Sequence, residues 1–103
     1  MEDYAADIRK YSPEINEKAL AGVVRYCGIA LRDPDASLVS VTAPAEMKTV
    51  REGFATKKLG LTPEAADAGI RSVVEKVKGA RRKSRVTFYY LLAEATGTLD
   101  KLA

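Results

Sequence analysis

The sequence contains no histidine and a single cysteine, and these absences exclude several kinds of site. Without histidine, the chain lacks the usual general base near neutral pH and the commonest metal ligand. Serine–histidine and cysteine–histidine nucleophile systems are therefore excluded, and one cysteine cannot form a structural zinc site. Glycine-rich phosphate loops and nucleophile elbows are missing as well. We predict no catalytic residue, no metal and no cofactor, and we expect a protein that is not an enzyme.

Long apolar runs are also missing. The longest strongly apolar run, residues 86–93, is far too short to span a bilayer. The first three residues, Met1-Glu2-Asp3, are acidic at the end where a signal peptide would be basic. A single cysteine cannot form an intramolecular disulfide, which favours a reducing compartment. These features predict a cytoplasmic protein with no membrane partner.

The 103 residues fit one helical domain, predicted to cover residues 1–103. Hydrophobic residues make up 47% and charged residues 30%, as is ordinary for a folded globular chain. Apolar residues recur with helical spacing nearly everywhere. We therefore predict an all-α fold, a compact bundle of about five helices in which the C-terminal helix is central and buried.

Start and stop signals set the predicted helix boundaries. The helices are expected at residues 3–10, 13 to about 31, 44 to a stop at 60, 63 to a stop at 79, and 84–96. Ser12 is the predicted N-cap of the second helix, with Pro13 as its first residue. Residues 36–43 are interpreted as a loop or helical turn, because a lone strand would have no partner. Residues 98–103 are predicted to be a frayed tail.

Two glycines and the cysteine lie on or beside the predicted apolar stripes. Gly22 and Gly69 each cost about 1 kcal/mol relative to alanine inside a helix. Close approach of a neighbouring element would explain their presence, and this favours a tightly packed bundle. Cys27 and Tyr26 fall on the apolar stripe of the second helix, so we expect both side chains to be buried and the thiol to be inert.

One acidic stretch resembles the opening of a calcium loop. Residues 33–37 read Asp-x-Asp-x-Ser, as the first half of an EF-hand loop does. The sixth and twelfth positions of such a loop require glycine and glutamate, but Leu38 and Pro44 stand there. We interpret the stretch as a turn in which Asp and Ser oxygens accept backbone hydrogen bonds.

A basic stretch, which we call the basic junction, joins the fourth and fifth predicted helices. It holds six cations and no acidic residue within ten positions: Lys76, Lys78, Arg81, Arg82, Lys83 and Arg85. The negative end of the fourth helix dipole explains the first two. The next three lie at the start of the fifth helix, where anions are favoured and cations are not. A bound phosphate would remove this conflict, and so would acids of the N-terminal half, such as Asp33 and Asp35.

The two halves of the chain differ in charge. Residues 1–52 carry 7 basic and 9 acidic side chains, whereas residues 53–103 carry 10 basic and 5 acidic side chains. Pairing between the halves is the interpretation we favour, because charge runs usually form a solvated or internally paired face.

Several separated motifs point to a known family. They are Cys27-Gly28, Asp35-Ala36-Ser37, Val39-Ser40, Thr49-Val50, Lys57-Lys58-Leu59-Gly60-Leu61, and Arg85 with Tyr89-Tyr90-Leu91-Leu92. Together they span about residues 4–97, and they resemble the small bacterial domain-of-unknown-function family 2853. The resemblance implies an all-helical fold and a bacterial cytoplasmic setting, and it implies no activity.

Three classes of function follow. The leading hypothesis is a non-enzymatic binding or interaction module whose partner is another protein or a second copy of the chain. The first alternative is a weak nucleic-acid or anion binder that uses the basic junction, and an exposed basic patch free of acidic neighbours would favour it. The second alternative is an enzyme of unrecognised type, which a deep pocket with convergent polar groups would favour.

A triple substitution tests the basic junction. If the junction binds phosphates, binding of short single-stranded oligonucleotides falls steeply with salt as counterions are released. Replacing Arg81, Arg82 and Lys83 together by serine should then flatten that salt dependence and leave the melting temperature unchanged or slightly raised. If the three cations pair with acids, the substitution should lower the melting temperature. No binding at low salt, together with lowered stability, would leave only a structural role.

Overall fold

The computed structural model describes residues 2–28, 44–79 and 84–102, which form helices and no strand. The five α-helices are α1 (Glu2–Arg9), α2 (Glu17–Cys27), α3 (Pro44–Thr49), α4 (Pro63–Val77) and α5 (Arg85–Ala95). α3 continues directly as a π-helical segment (Val50–Lys58), and a 3-10 turn (Leu99–Lys101) follows α5. The predicted all-α fold is confirmed.

α5 is apolar along most of its length and is buried against its neighbours. Every residue from Val86 to Ala93 is buried. α5 contacts α1, α2, the π-helical segment and α4. Full burial of a Val, Leu or Phe side chain contributes about 1.5–3 kcal/mol relative to exposure, so this helix supplies much of the apolar burial.

Two polar side chains on α5 fix the positions of its neighbours. Thr87 Oγ1 donates a hydrogen bond of 2.5 Å to Asp7 Oδ2 on α1. The hydroxyl of Tyr90 accepts a bond of 2.8 Å from the backbone N–H of Asn16, immediately before α2. Leaving a buried polar group without a partner costs about 1–3 kcal/mol. These two bonds therefore favour one register of α1 and α2 against α5.

α2 begins later than the sequence predicts. Asn16 is the N-cap, and its Oδ1 accepts a bond of 3.0 Å from the N–H of Ala19. Ser12 is not a cap, because its hydroxyl donates instead to Glu94 Oε2 at 2.6 Å. Serine and asparagine are comparable N-cap residues, so the long-range bond to Glu94 decides which of them caps the helix.

Three predictions lie outside the described residues. They are the loop or turn at residues 36–43, the acidic stretch at residues 33–37, and the placement of Arg81, Arg82 and Lys83.

The π-helical segment replaces the second half of a predicted α-helix. Its buried face consists of Val50, Phe54, Ala55 and the following Leu59, and the adjacent pair in the middle lies four or five positions from each of the other two. This spacing is wider than the 3.6-residue period of an α-helix. Wider winding keeps all four side chains on the core side, whereas α winding would turn Leu59 away from it.

The turn between the π-helical segment and α4 follows the sequence prediction. Gly60 has a φ of 70°, a conformation that favours glycine. The N–H of Leu61 bonds to the carbonyl of Ala55 at 3.0 Å, and the Leu61 side chain packs against the core. Thr62 then caps α4 by accepting a bond of 3.2 Å from the N–H of Ala65.

The C-terminal residues do not form the predicted frayed tail. Leu102, after the 3-10 turn, is buried, and burial of its side chain offsets the entropy lost in ordering the turn. The turn lies so close to α2 that a Cβ at Gly22 would be 1.9 Å from the Leu102 carbonyl oxygen. A Cβ at Gly69 would likewise lie 2.6 Å from Thr96 Cγ2. Both glycines therefore permit the close approach that the sequence predicts.

Gly22→Ala tests this contact. The substitution should lower the free energy of unfolding by about 1–3 kcal/mol, because the backbone of Leu102 must move to admit a methyl group. Gly53→Ala is the matched control, since nothing lies within 4 Å of a Cβ there. It should be neutral or stabilise by up to about 1 kcal/mol. Equal changes in urea unfolding for the two variants would contradict the close packing.

Candidate functional site

Three of the six cations of the basic junction lie in the described residues. Lys76 and Lys78 are exposed at the end of α4, and Lys78 Nζ lies 3.5 Å from Glu75 Oε1. Arg85, at the start of α5, has a side chain that is only 14% exposed. Its guanidinium is hydrogen-bonded to other side chains of the protein, so the junction does not act as one exposed patch of six charges.

Arg85 joins α5 to the third helix. Its guanidinium donates to the carboxylate of Glu46 on α3 and, at 3.0 Å, to the hydroxyl of Tyr89. Burial acts to lower the pKa of Arg85, but the bonds to Tyr89 and Glu46 outweigh it and the pKa is raised. Glu46 belongs to the acidic N-terminal half, so Arg85 is paired with an acid of that half.

Three aromatic rings lie beside this ion pair. The rings of Phe54 and Tyr89 stack with centroids 4.2 Å apart, and Tyr26 is tilted against them at 5.1 Å and 6.1 Å. Arg85 Cζ lies 5.7 Å from the centre of the Tyr89 ring. We call Tyr26, Phe54, Tyr89, Arg85 and Glu46 the aromatic–arginine cluster. It connects α2, α3, the π-helical segment and α5.

Tyr26 is the exposed member of the cluster. Its residue surface is 44% exposed, whereas Phe54 and Tyr89 are buried. The sequence predicts Tyr26 on the buried stripe of α2, and that prediction is wrong. Tyr26 and Cys27 are adjacent on the helix and point in directions about 100° apart, so the broad stripe includes both but the core covers only Cys27.

Cys27 is buried, as predicted. Burial raises the pKa of its thiol to about 11, and the nearby charge of Arg85 only partly opposes this shift. Because the thiolate is the nucleophilic form, a protonated and covered thiol is unreactive near neutral pH.

A pocket of about 520 Å³ lies between the turn before α2 and the C-terminal end of α5. Its lining residues are Ser12, Pro13, Glu14, Ile15, Asn16, Tyr90, Glu94 and Leu99. We call it the Ser12–Glu94 pocket, after the 2.6 Å bond from the serine hydroxyl to the carboxylate. Sequence reasoning missed it, because its two walls are 82 residues apart and no local motif marks either.

The hydroxyl of Ser12 serves to hold Glu94. Ser12 is only 6% exposed, and its hydroxyl is already engaged. A covered hydroxyl beside a carboxylate, with no imidazole in the chain, is a poor nucleophile. Ser12 is therefore not suited to act as a nucleophile in this pocket.

Two kinds of feature do not occur in the described ranges. No group of three or more histidine, cysteine, aspartate or glutamate side chains is arranged to hold a metal ion within residues 2–28, 44–79 and 84–102. In the same ranges, no helix has both the length and the apolar character that crossing a membrane requires.

A comparison with models of protein families gives a match over nearly the whole chain. A family model described as "Protein of unknown function (DUF2853)" matches residues 3–100, nearly the whole chain. A comparison with curated proteins found no match.

Thiol labelling tests the burial of Cys27. The native protein should react with a thiol reagent at pH 8 far more slowly than the denatured chain, because the thiol is covered and its pKa is raised to about 11. The reaction rate is measured with and without denaturant by absorbance. Equal rates in the two states would contradict the placement of Cys27 in the core.

Proposed function

Since the chain belongs to the DUF2853 family, to which no function is assigned, we propose a function from the geometry of its surface. The protein is a non-enzymatic interaction module that pairs with a second copy of itself through the aromatic–arginine cluster. The observation that carries this proposal is that the exposed ring of Tyr26 packs against the buried rings of Phe54 and Tyr89.

Tyr26 has the properties of an interface anchor. Among the residues that the structure describes, it is the large hydrophobic side chain left exposed. Tyrosine is enriched at the energetic centres of protein interfaces, where it supplies a large contact area with few rotatable bonds. Contact with Phe54 and Tyr89 restrains the ring before any partner arrives, so less conformational entropy is lost on binding.

The charges beside Tyr26 suit a second copy as the partner. In a two-fold symmetric contact the same surface meets itself, so that surface must be self-complementary. Arg85 and Glu46 supply both signs of charge within the cluster, and each is partly accessible. A purely basic surface would repel a second copy of itself, whereas a surface on which a cation is paired with a carboxylate does not. The formal net charge of +3 adds only a modest repulsion between copies.

The neighbours of the basic junction support a protein partner over nucleic acid. Lys78 lies beside Glu75, and Arg85 is bonded to Glu46. Two of the three described cations thus have an acidic neighbour, which weakens the attraction for phosphates. A non-enzymatic role is supported by the burial of both Cys27 and Ser12. We also propose a cytoplasmic location, on the grounds of the single cysteine.

Sedimentation equilibrium tests the proposed pairing. The wild-type chain should dimerise reversibly with rising concentration, and Tyr26→Ala should weaken the dimer at least about tenfold. Tyr26→Phe is the matched control, because it keeps the ring and should keep most of the affinity. Circular dichroism should show the same helix content in all three proteins, since Tyr26 as a residue is 44% exposed.

Two results would overturn the pairing. One is a wild-type chain that stays monomeric into the millimolar range. The other is a dimer that Tyr26→Ala does not weaken. A monomer that binds oligonucleotides with a steep salt dependence would favour the nucleic-acid alternative instead.

A further inference from the structure

We propose that the ion pair between Glu46 and Arg85 sets the winding of the first turn of the π-helical segment, residues 50–54. While the pair is formed, the turn is π-helical. When the pair is broken, the turn rewinds as an α-helix, which lengthens α3 and carries Glu46 away from Arg85. The change takes place within one copy of the chain, so it does not depend on self-association.

The core requires π winding only in the second turn of the segment. Phe54 and Leu59 are both buried and five positions apart, and an α-helix would point them about 140° away from each other. The N–H of Leu59 accordingly bonds to the carbonyl of Phe54 at 3.0 Å. Val50 and Phe54 are four positions apart, a spacing that an α-helix already places on one face. Burial in the core therefore does not explain π winding in the first turn.

The backbone and its local hydrogen bonds do not explain it either. π winding is rare and occurs mostly as single turns, whereas this segment of nine residues forms about two. Thr49 Oγ1 on α3 donates to the carbonyl of Ala45, four positions back, at 3.0 Å. Thr56 Oγ1 donates to the carbonyl of Arg51, five positions back, at 2.8 Å. A threonine hydroxyl thus reaches a carbonyl in either winding, so a contact outside the segment must select the π form of the first turn.

Glu46 makes the contact that is best placed to do so. α3 has no buried residue, and Met47 touches the core only as a half-buried side chain. The side chains of Glu46 and Arg85 are only 25% and 14% exposed, so solvent screens their attraction weakly. A second ion pair within the described residues joins Arg51 of the segment to Asp67 on α4 at 3.3 Å. Its side chains are 35% and 41% exposed, so it contributes little.

Rewinding the first turn rotates α3 against α5. Each residue turns the chain by about 100° in an α-helix and by roughly 80° in the wider π-helix. Over five residues the difference is roughly a quarter of a full rotation. Arg85 stays at the start of the buried α5, so this rotation points Glu46 away from it. The ion pair and the π winding of the first turn therefore stabilise each other, and each is lost with the other.

The winding also changes the charge of the aromatic–arginine cluster. With Glu46 turned away, the cluster keeps the cation of Arg85 and loses its carboxylate. Two copies that meet through this surface would then present like charges to each other, and the dimer would weaken. This consequence, unlike the winding itself, rests on the proposed function.

Through-hydrogen-bond NMR couplings in the isotope-labelled full chain identify the carbonyl to which each amide is bonded. In the wild-type protein the amide of Ala55 should couple to the carbonyl of Val50, five positions back. Glu46→Ala removes the ion pair completely. In this variant the coupling should be lost, and a coupling from Ala55 to the carbonyl of Arg51, four positions back, should replace it.

Asp67→Ala is the matched control, because it removes the carboxylate of the exposed ion pair with Arg51 and should leave the wild-type couplings unchanged. Three results would overturn the proposal. The first is a wild-type coupling that persists in Glu46→Ala, and the second is the same rewinding in Asp67→Ala. The third is loss of the Ala55 coupling in Glu46→Ala with no new coupling, which would show an unfolded turn instead of a rewound one.

Two further measurements separate the winding from self-association. The couplings are measured again for Glu46→Ala in a Tyr26→Ala background, which removes the proposed dimer contact, and the same rewinding is expected there. In sedimentation equilibrium, Glu46→Ala alone should weaken the dimer at least about tenfold. A rewound chain that dimerises as tightly as the wild type would contradict the control of dimerisation by winding. A wild-type chain that stays monomeric would contradict the proposed function and not the winding.

Discussion

The fold depends on one constraint, the need to cover a helix that has no exposed side between Val86 and Ala93. Residues Val86 to Ala93 are buried all round, so α5 is stable only while α1, α2, the π-helical segment and α4 lie against it. An ordinary surface helix needs cover on one stripe alone. Gly69 serves this requirement, because its missing side chain lets α4 come close to Leu92 on α5 and to the following Thr96.

Covering the helix creates a second requirement, because α5 also carries polar atoms. Thr87, Tyr89 and Tyr90 bring hydroxyl groups into the core. Thr87 and Tyr90 are hydrogen-bonded to groups outside α5, and Tyr89 is hydrogen-bonded to Arg85, one turn earlier on α5. The bonds to Asp7 and Asn16 place α1 and α2, and the bond from Arg85 connects to Glu46 on α3. Tyr89 thus also belongs to the aromatic–arginine cluster, and Tyr90 also lines the Ser12–Glu94 pocket.

Local physical chemistry made much of the fold predictable. The unbroken apolar run predicted the burial of α5, and Gly60 with Thr62 predicted the turn into α4. The start of α2 was not predictable, because Ser12 and Asn16 are similar caps and only the distant Glu94 distinguishes them. The π-helical winding and the ordered residues near Leu102 likewise depend on packing against other helices, which spacing along the chain does not record.

The candidate sites were less predictable than the fold. The sequence left open whether the basic junction binds an anion or pairs with acids of the N-terminal half, and it did not identify Glu46 as the partner of Arg85. Tyr26 was assigned to the buried stripe, because helical periodicity does not show how far neighbouring elements cover the surface of a helix. The Ser12–Glu94 pocket joins parts of the chain that share no motif, so only the three-dimensional structure shows it.

The late position of α5 in the chain affects the order of folding. Asp7 and Thr87 are 80 residues apart and are hydrogen-bonded to each other. α1 therefore lacks the helix against which it packs until α5 has been synthesised. Proteins with such long-range contacts fold more slowly than bundles whose helices pack against their sequence neighbours. During synthesis the N-terminal segments emerge first. The apolar faces of α1, α2 and α4 therefore remain open to other molecules until residues 85–95 have been added, and aggregation is the competing process in that interval.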